Sequence, residues 1–182
     1  MRPRKTFAAL GAAAAIGACG AYALPATGSE DGGTRLSAPI KAADGSELGT
    51  VTVRQEGGSA RVEIRGQGMP PGFYGLHVHA VGKCEGPGFT SSGPHLGDGA
   101  HPGHTGDLPV LYVKAHGEAR AVTYTDRFSV ADLADADGST LIVHAMPDNY
   151  ANIPERYAPD GPDMATRMAG DSGARIACAA LR

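Results

Sequence analysis

The chain has 182 residues, of which 42% are hydrophobic and 19% charged, with a net charge of −3 at neutral pH. This is the composition of a globular chain with one core, and the missing basic excess excludes the usual profile of a nucleic-acid binder. Any attraction for an anion must therefore be local rather than global. Gly (27 residues) and Pro (13) are abundant while aromatics make up 5%, which favours short strands and turns over long helices.

In chain order, residues 1–24 read as an export leader. Arg2, Arg4 and Lys5 make a basic start, followed by an apolar run from Phe7 to Ala18. That run is shorter than the roughly 20 residues of a membrane-spanning helix and fits the core of a secretory signal. It ends in Ile16-Gly17-Ala18-Cys19, which resembles a bacterial lipobox whose cysteine becomes the lipidated first residue. Ordinary cleavage near Ala21-Tyr22-Ala23 is the alternative. The expected organisation is a signal peptide over 1–18, a flexible polar tether over 19–33 and one folded domain over 34–182. The expected location is the outer face of the cell membrane as a lipoprotein, or secreted, with membrane contact only through an anchor at Cys19.

From Thr34 onward the segments are short. Candidate strands are Leu36 to Ala42, Leu48 to Arg54 with Val51 and Val53 on one face, and Arg61 to Gly66 with Val62 and Ile64 inward. Asp44-Gly45 and Glu56-Gly57-Gly58 supply the intervening turns. After the break at Met69-Pro70-Pro71-Gly72, alternation resumes over Tyr74 to Val81. It returns over Val110 to Ala115, Ala119 to Tyr124, Thr140 to His144 and Arg175 to Ala179. Period-2 runs at this spacing predict an all-β antiparallel sandwich or barrel. Val130 to Ala134 is long enough for one helical turn. Two stretches, Gly82 to Pro109 and Pro147 to Gly173, lack strand character; loops this long in a compact domain are usually functional or disordered.

Six of the seven histidines lie in or beside those two stretches: His77, His79, His95, His101, His104 and His144. His77 and His79 sit two apart on a predicted strand, so they share a face about 7 Å apart, with Val78 turned into the core. His95, His101, His104 and Asp107 follow closely, and His144 ends another strand. Imidazoles suit copper and zinc, and three His with one Asp suit tetrahedral zinc. No Ser or Cys nucleophile set competes for these side chains, so the clustering predicts a metal site. His116, in a turn-like Ala115-His116-Gly117-Glu118, is read as an exposed loop residue without a role. Beyond the leader, Cys84 and Cys178 remain; an even pair in an exported chain suggests a disulfide, with two reduced buried thiols as the alternative.

Five segments, in order, resemble the copper–zinc superoxide dismutase family. Gly75-Leu76-His77-Val78-His79 is similar to its G-F/L-H-x-H strand and Gly93-Pro94-His95 to its bridging-histidine turn. His104-Thr105-Gly106-Asp107-Leu108 is similar to H-x-G-D-L, Leu141-Ile142-Val143-His144 to the strand of the last copper ligand, and Gly173 to Cys178 to the closing G-x-R-x-A-C. Asp148 to Pro154 is most similar to exported actinobacterial members. The resemblance implies an eight-stranded Greek-key barrel or flattened sandwich with two long functional loops, an architecture general for this enzyme. It implies copper on His77, His79, His95 and His144, and zinc on His95, His101, His104 and Asp107, with His95 bridging. It further implies an orienting aspartate at Asp148, an anion-attracting guanidinium at Arg175 and a Cys84–Cys178 disulfide. The implied reaction is dismutation of superoxide to dioxygen and hydrogen peroxide, protecting the cell envelope, with His95 also carrying a proton. Exported members include monomers and homodimers.

One segment departs from the family pattern. Most members carry a longer insertion between the second and third zinc histidines, whereas here Pro102-Gly103 alone separates His101 from His104. Pro-Gly supplies a bend on which two histidines can chelate one ion. Two other readings compete with the enzyme: a copper-buffering lipoprotein of the same fold, which would not need Arg175, and a metal-free interaction sandwich, which leaves the clustered histidines unexplained.

Overall fold

The computed structural model describes residues 34–182; the leader, Cys19 and the tether lie outside the described residues. The strands are β1 (Arg35–Ala42), β2 (Glu47–Glu56), β3 (Ser59–Gly66), β4 (Gly72–His79), β5 (Asp107–Val113), β6 (Ala119–Thr125), β7 (Ser139–His144) and β8 (Arg175–Leu181). They close into an antiparallel barrel in the order β1-β2-β3-β6-β5-β4-β7-β8, the predicted eight-stranded topology. The β3–β6 and β4–β7 neighbourhoods are non-consecutive steps of a Greek key. Two seams are narrow: β1 meets β8 only at Lys41↔Cys178 and Ala42↔Ala177, and β5 meets β6 at Val113↔Ala119.

Alternation fills the barrel. Val51, Val53, Val62 and Ile64 point inward with Val78, Leu111, Leu141 and Val143, all essentially without solvent contact. One residue of slip would turn such a set outward, so the pattern fixes the register. β4 from Tyr74 onward and all of β7 are buried on both faces. Their outer faces are covered by the two long loops, 80–106 and 145–174, and the histidines lie beneath that cover.

The strand ends differ modestly from expectation. β5 begins at Asp107 rather than Val110, because Asp107 already pairs with His77 across the β4–β5 ladder. The predicted single turn is present as helix α1 (Val130–Leu133), with a reciprocal Ser129–Asp132 capping box. A second helix, α2 (Met164–Ala169), has no counterpart in the sequence reading. It is too short to show periodicity; its signals are Asp163, whose carboxylate accepts the Thr166 N–H, and Gly170 at the C-cap in the left-handed region.

Candidate metal centre

Two ladder irregularities shape the centre. A register shift between Tyr74 and Leu76 bends β4 just before its two histidines. Another, between Val143 and His144, makes His144 the cross-strand partner of Arg175. Strand parity does the rest: Val78 enters the core while His77 and His79, both fully buried, face the loops. The long loop returns to this strand, because Leu96 N–H donates to the Val78 carbonyl and Val78 N–H donates to that of Gly106. His95 is thereby bridged directly to His79.

The result is a contiguous cluster of rings. Centroids of His77 and His95 lie 4.1 Å apart, His77 and His144 4.8 Å, and His79 and His95 4.8 Å. One nitrogen from each of His77, His79, His95 and His144 falls within 4.8 Å of all the others. The structure thus brings together the four residues expected for copper.

The backbone and one carboxylate fix which nitrogen is free. His79 Nδ1 donates to the Gly93 carbonyl (2.9 Å) and His144 Nδ1 to that of Gly173 (3.0 Å). His77 Nε2 donates to Asp148 Oδ2 (2.9 Å) and His101 Nε2 to Asp148 Oδ1 (2.7 Å). A neutral imidazole that donates from one nitrogen carries a lone pair on the other. Those other atoms, His77 Nδ1, His79 Nε2, His101 Nδ1 and His144 Nε2, are buried and without a hydrogen-bond partner. Leaving so many buried polar atoms unpaired is costly unless a ligand satisfies them, and a borderline metal ion is what inward imidazole lone pairs can donate to.

The second group is centred on Asp107. His95 Nδ1 lies 2.8 Å from Oδ1, His101 Nδ1 3.1 Å from Oδ2 and His104 Nδ1 3.3 Å from Oδ2. The His101 and His104 nitrogens remain unpartnered as hydrogen bonds despite these distances. Ligands on a tetrahedral zinc are spaced by about 3.3 Å, given bonds of about 2.0–2.1 Å, so the separations match shared coordination. His77, His95, His101 and Asp107 also form a tight four-atom group. His77 fits this group less well than His104, since its Nε2 is committed to Asp148 and its unpartnered Nδ1 is the one atom it can offer to the group with His79, His95 and His144. The two-residue Pro102-Gly103 spacer therefore does not keep His101 and His104 from Asp107.

Electrostatics suit ligation. Burial pushes His79 down to about 2 and His144 down to about 4, and it also lowers His95, so these rings stay neutral. Burial works against Asp107, but the hydrogen bond from His95, the largest of the opposing effects, and the surrounding histidines outweigh it and bring the carboxyl down to about 2. Asp148 is likewise lowered: burial opposes ionisation, and the His77 and His101 rings and the Tyr150 N–H overcome it.

Arg175 stands at the rim. Its Nη1 donates to the Phe89 carbonyl and Ser92 Oγ, both at 2.9 Å, and its Nη2 to the Gly93 carbonyl at 2.8 Å. Burial lowers its pKa from a value so high that the guanidinium stays charged. With His79, His95 and His144 it lines an open cleft of about 480 Å³. The Cys84–Cys178 disulfide is formed, and Phe89 packs against Cys178 and Ile142 behind the guanidinium. His116 is exposed beside Glu118, as expected.

Two supports of the site are only faintly marked in the sequence. Tyr150, with φ of 54°, stacks on His101 at 6.5 Å and donates its N–H to Asp148 Oδ1. Gly170 has φ of 56°, and a side-chain carbon there would collide with Asp148 Oδ1. The signal for Tyr150 was its place two residues after Asp148; for Gly170 it was its place as a helix stop.

The family model for copper/zinc superoxide dismutase (SODC) matches residues 47–181. A Superoxide dismutase [Cu-Zn] of Mycobacterium tuberculosis is 40% identical over 170 residues, covering 82% of this chain and 71% of that protein. One of Caulobacter vibrioides is 33% identical, covering 80% of this chain and 84% of that protein. The solved Cu/Zn superoxide dismutase from Brucella abortus superimposes with a TM-score of 0.64 at 26% identity, covering 82% of this chain and all of the other. By its sequence match, its barrel and its two histidine groups, the chain belongs to the copper/zinc superoxide dismutase family.

Proposed function

We propose that the protein converts two superoxide anions and two protons to dioxygen and hydrogen peroxide at copper held by His77, His79, His95 and His144, with zinc held by His95, His101, His104 and Asp107. The observation that carries the reading is the set of inward lone pairs on His77, His79 and His144, each fixed by an outward hydrogen bond of the same ring. Bound copper supplies the redox chemistry, one electron in each half-reaction, while zinc has none.

The residues supply the rest. Arg175 is a fixed cation on the cleft wall, positioned to attract a small anion and orient it beside His79, His95 and His144. Its three anchoring hydrogen bonds keep it from swinging into solvent. His95 is the proposed proton carrier, because its ring lines the cleft while its Nδ1 faces Asp107. Asp148 holds the tautomers of His77 and His101. An anchored guanidinium has no use in a protein that only buffers copper, which favours the enzyme.

The location reading rests on the sequence of residues 1–33: export, with lipidation at Cys19 as the membrane tie and protection of the envelope as the role. Palmitate labelling of the full chain that persists in Cys19→Ser would reject the anchor. For the activity, stopped-flow decay of superoxide with protein carrying quantified copper and zinc is the test. Decay at the spontaneous rate with copper bound would reject dismutation.

A further inference from the structure

His101 and His104 are buried, but the Pro102-Gly103 crest between them is exposed. Such a crest has few ways to hold itself. Gly103 N–H donates to the Ala100 carbonyl at 2.7 Å, and Pro102 has no N–H to give. His101 is tied by its N–H to the Arg167 carbonyl at 2.9 Å, while the His104 carbonyl receives a long bond, 3.3 Å, from Asp107 N–H. The carbonyl that follows His101 and the carbonyl of His104 itself are both claimed from outside by one group. Arg127 Nη1 donates to Pro102 O at 2.9 Å and to His104 O at 3.0 Å.

Arg127 reaches from a fixed base. It lies in the connection after β6, and its neighbour Phe128 and Val130 are buried in the core. Its own N–H donates to Thr125 Oγ1 at 3.2 Å, and Val130 N–H donates to Gln55 Oε1 at 3.0 Å. Its guanidinium therefore links a rigid part of the barrel to the two carbonyls that bracket the crest.

We infer that Arg127 is a positioning residue for the zinc group, clasping the short His101–His104 segment so that both Nδ1 atoms face Asp107. It touches neither metal nor substrate; it acts through the backbone, adding two bonds from outside to the one that His104 N–H donates to Asp107 Oδ2 at 3.0 Å. This rests on the zinc assignment made above. The clasp binds none of the copper-set residues, so its loss falls on zinc selectively. Groups that orient ligands from outside typically account for about 10–100-fold in metal affinity.

The test uses cobalt(II) as a spectroscopic stand-in for zinc in copper-free full-length domain, with chelator competition for affinity. Arg127→Ala is expected to bind cobalt and zinc about 10–100-fold more weakly, to lose intensity in the tetrahedral cobalt absorption bands, and to leave copper affinity unchanged. Arg127→Lys, with a single ammonium able to reach one carbonyl, is expected to fall between. Arg120→Ala, which removes an exposed cation paired with Glu118 instead, is expected to match the unsubstituted protein. Unchanged cobalt affinity and spectrum in Arg127→Ala, with the unsubstituted protein binding normally, would overturn the clasp alone. An unsubstituted protein that takes up no cobalt or zinc would overturn the zinc assignment and the clasp together.

Discussion

His77 and His101 donate to the two oxygens of one carboxylate: Asp148 Oδ2 accepts from His77 at 2.9 Å and Oδ1 from His101 at 2.7 Å. In the proposed assignment one ring belongs to the copper group and the other to the zinc group, so a single side chain would set the tautomer in both. Gly170 leaves the room for it and Tyr150 N–H adds a third donor. Asp148→Ala should therefore release both rings, lowering zinc affinity about 10–100-fold and copper affinity as well. Chelator competition measures both; a variant that loses copper alone would contradict the shared role.

Arg175 is held by three acceptors on one short stretch, the Phe89 and Gly93 carbonyls and Ser92 Oγ. Arg175→Glu reverses the charge at the cleft while leaving the four copper-set rings in place. The second-order rate with superoxide should fall by roughly 10-fold or more, and its decline with added salt should weaken or reverse. Stopped-flow rates across ionic strength check this, with copper quantified in the same samples. Unchanged kinetics would remove Arg175 from the mechanism.

The disulfide joins positions 94 residues apart. On the chain-entropy model, closing such a loop contributes about 4–5 kcal/mol. Because Phe89 packs on Cys178 and its carbonyl holds Arg175, opening the bridge should also loosen the guanidinium. Cys84→Ser with Cys178→Ser should lower the urea midpoint markedly and reduce the rate constant even when copper is retained. Equal stability of the two forms would show that the barrel does not depend on the bridge.

The metal-free protein should be acid-sensitive in a defined window. His79 and His144 are pushed from 6.5 down to about 2 and about 4 by burial. Below pH 6.5 the unfolded chain then binds more protons than the folded one, so stability falls as pH falls, through about pH 4 for His144 and lower for His79. Denaturant titrations of metal-free protein at pH 7.5, 6, 5 and 4 should show a steady loss of a few kcal/mol. A flat profile across that range would mean that these rings are more hydrated than the barrel indicates.

The parity of His77 and His79, with Val78 between them, was legible because a strand has a strict two-residue period and both faces of β4 are buried. The inward valines of β2 and β3 were legible for the same reason. Asp107 was readable as a ligand but not as the first residue of β5, since pairing to His77 is a long-range fact. Helix α2 is six residues long, too few for periodicity to speak. Arg127 was invisible as part of the site because it acts through hydrogen bonds across distant segments, and the stack of Tyr150 on His101 was hidden for the same reason. The free nitrogen of each ring likewise depends on carbonyls and a carboxylate far away in the chain.

In the proposed centre four imidazoles, from β4, the long loop and β7, share one copper ion. Electron paramagnetic resonance of protein loaded with one equivalent of copper(II) tests it most directly. A tetragonal signal with hyperfine structure from several imidazole nitrogens, lost or strongly altered in His144→Ala, is the predicted result. A signal dominated by oxygen ligands and identical in the two proteins would contradict it.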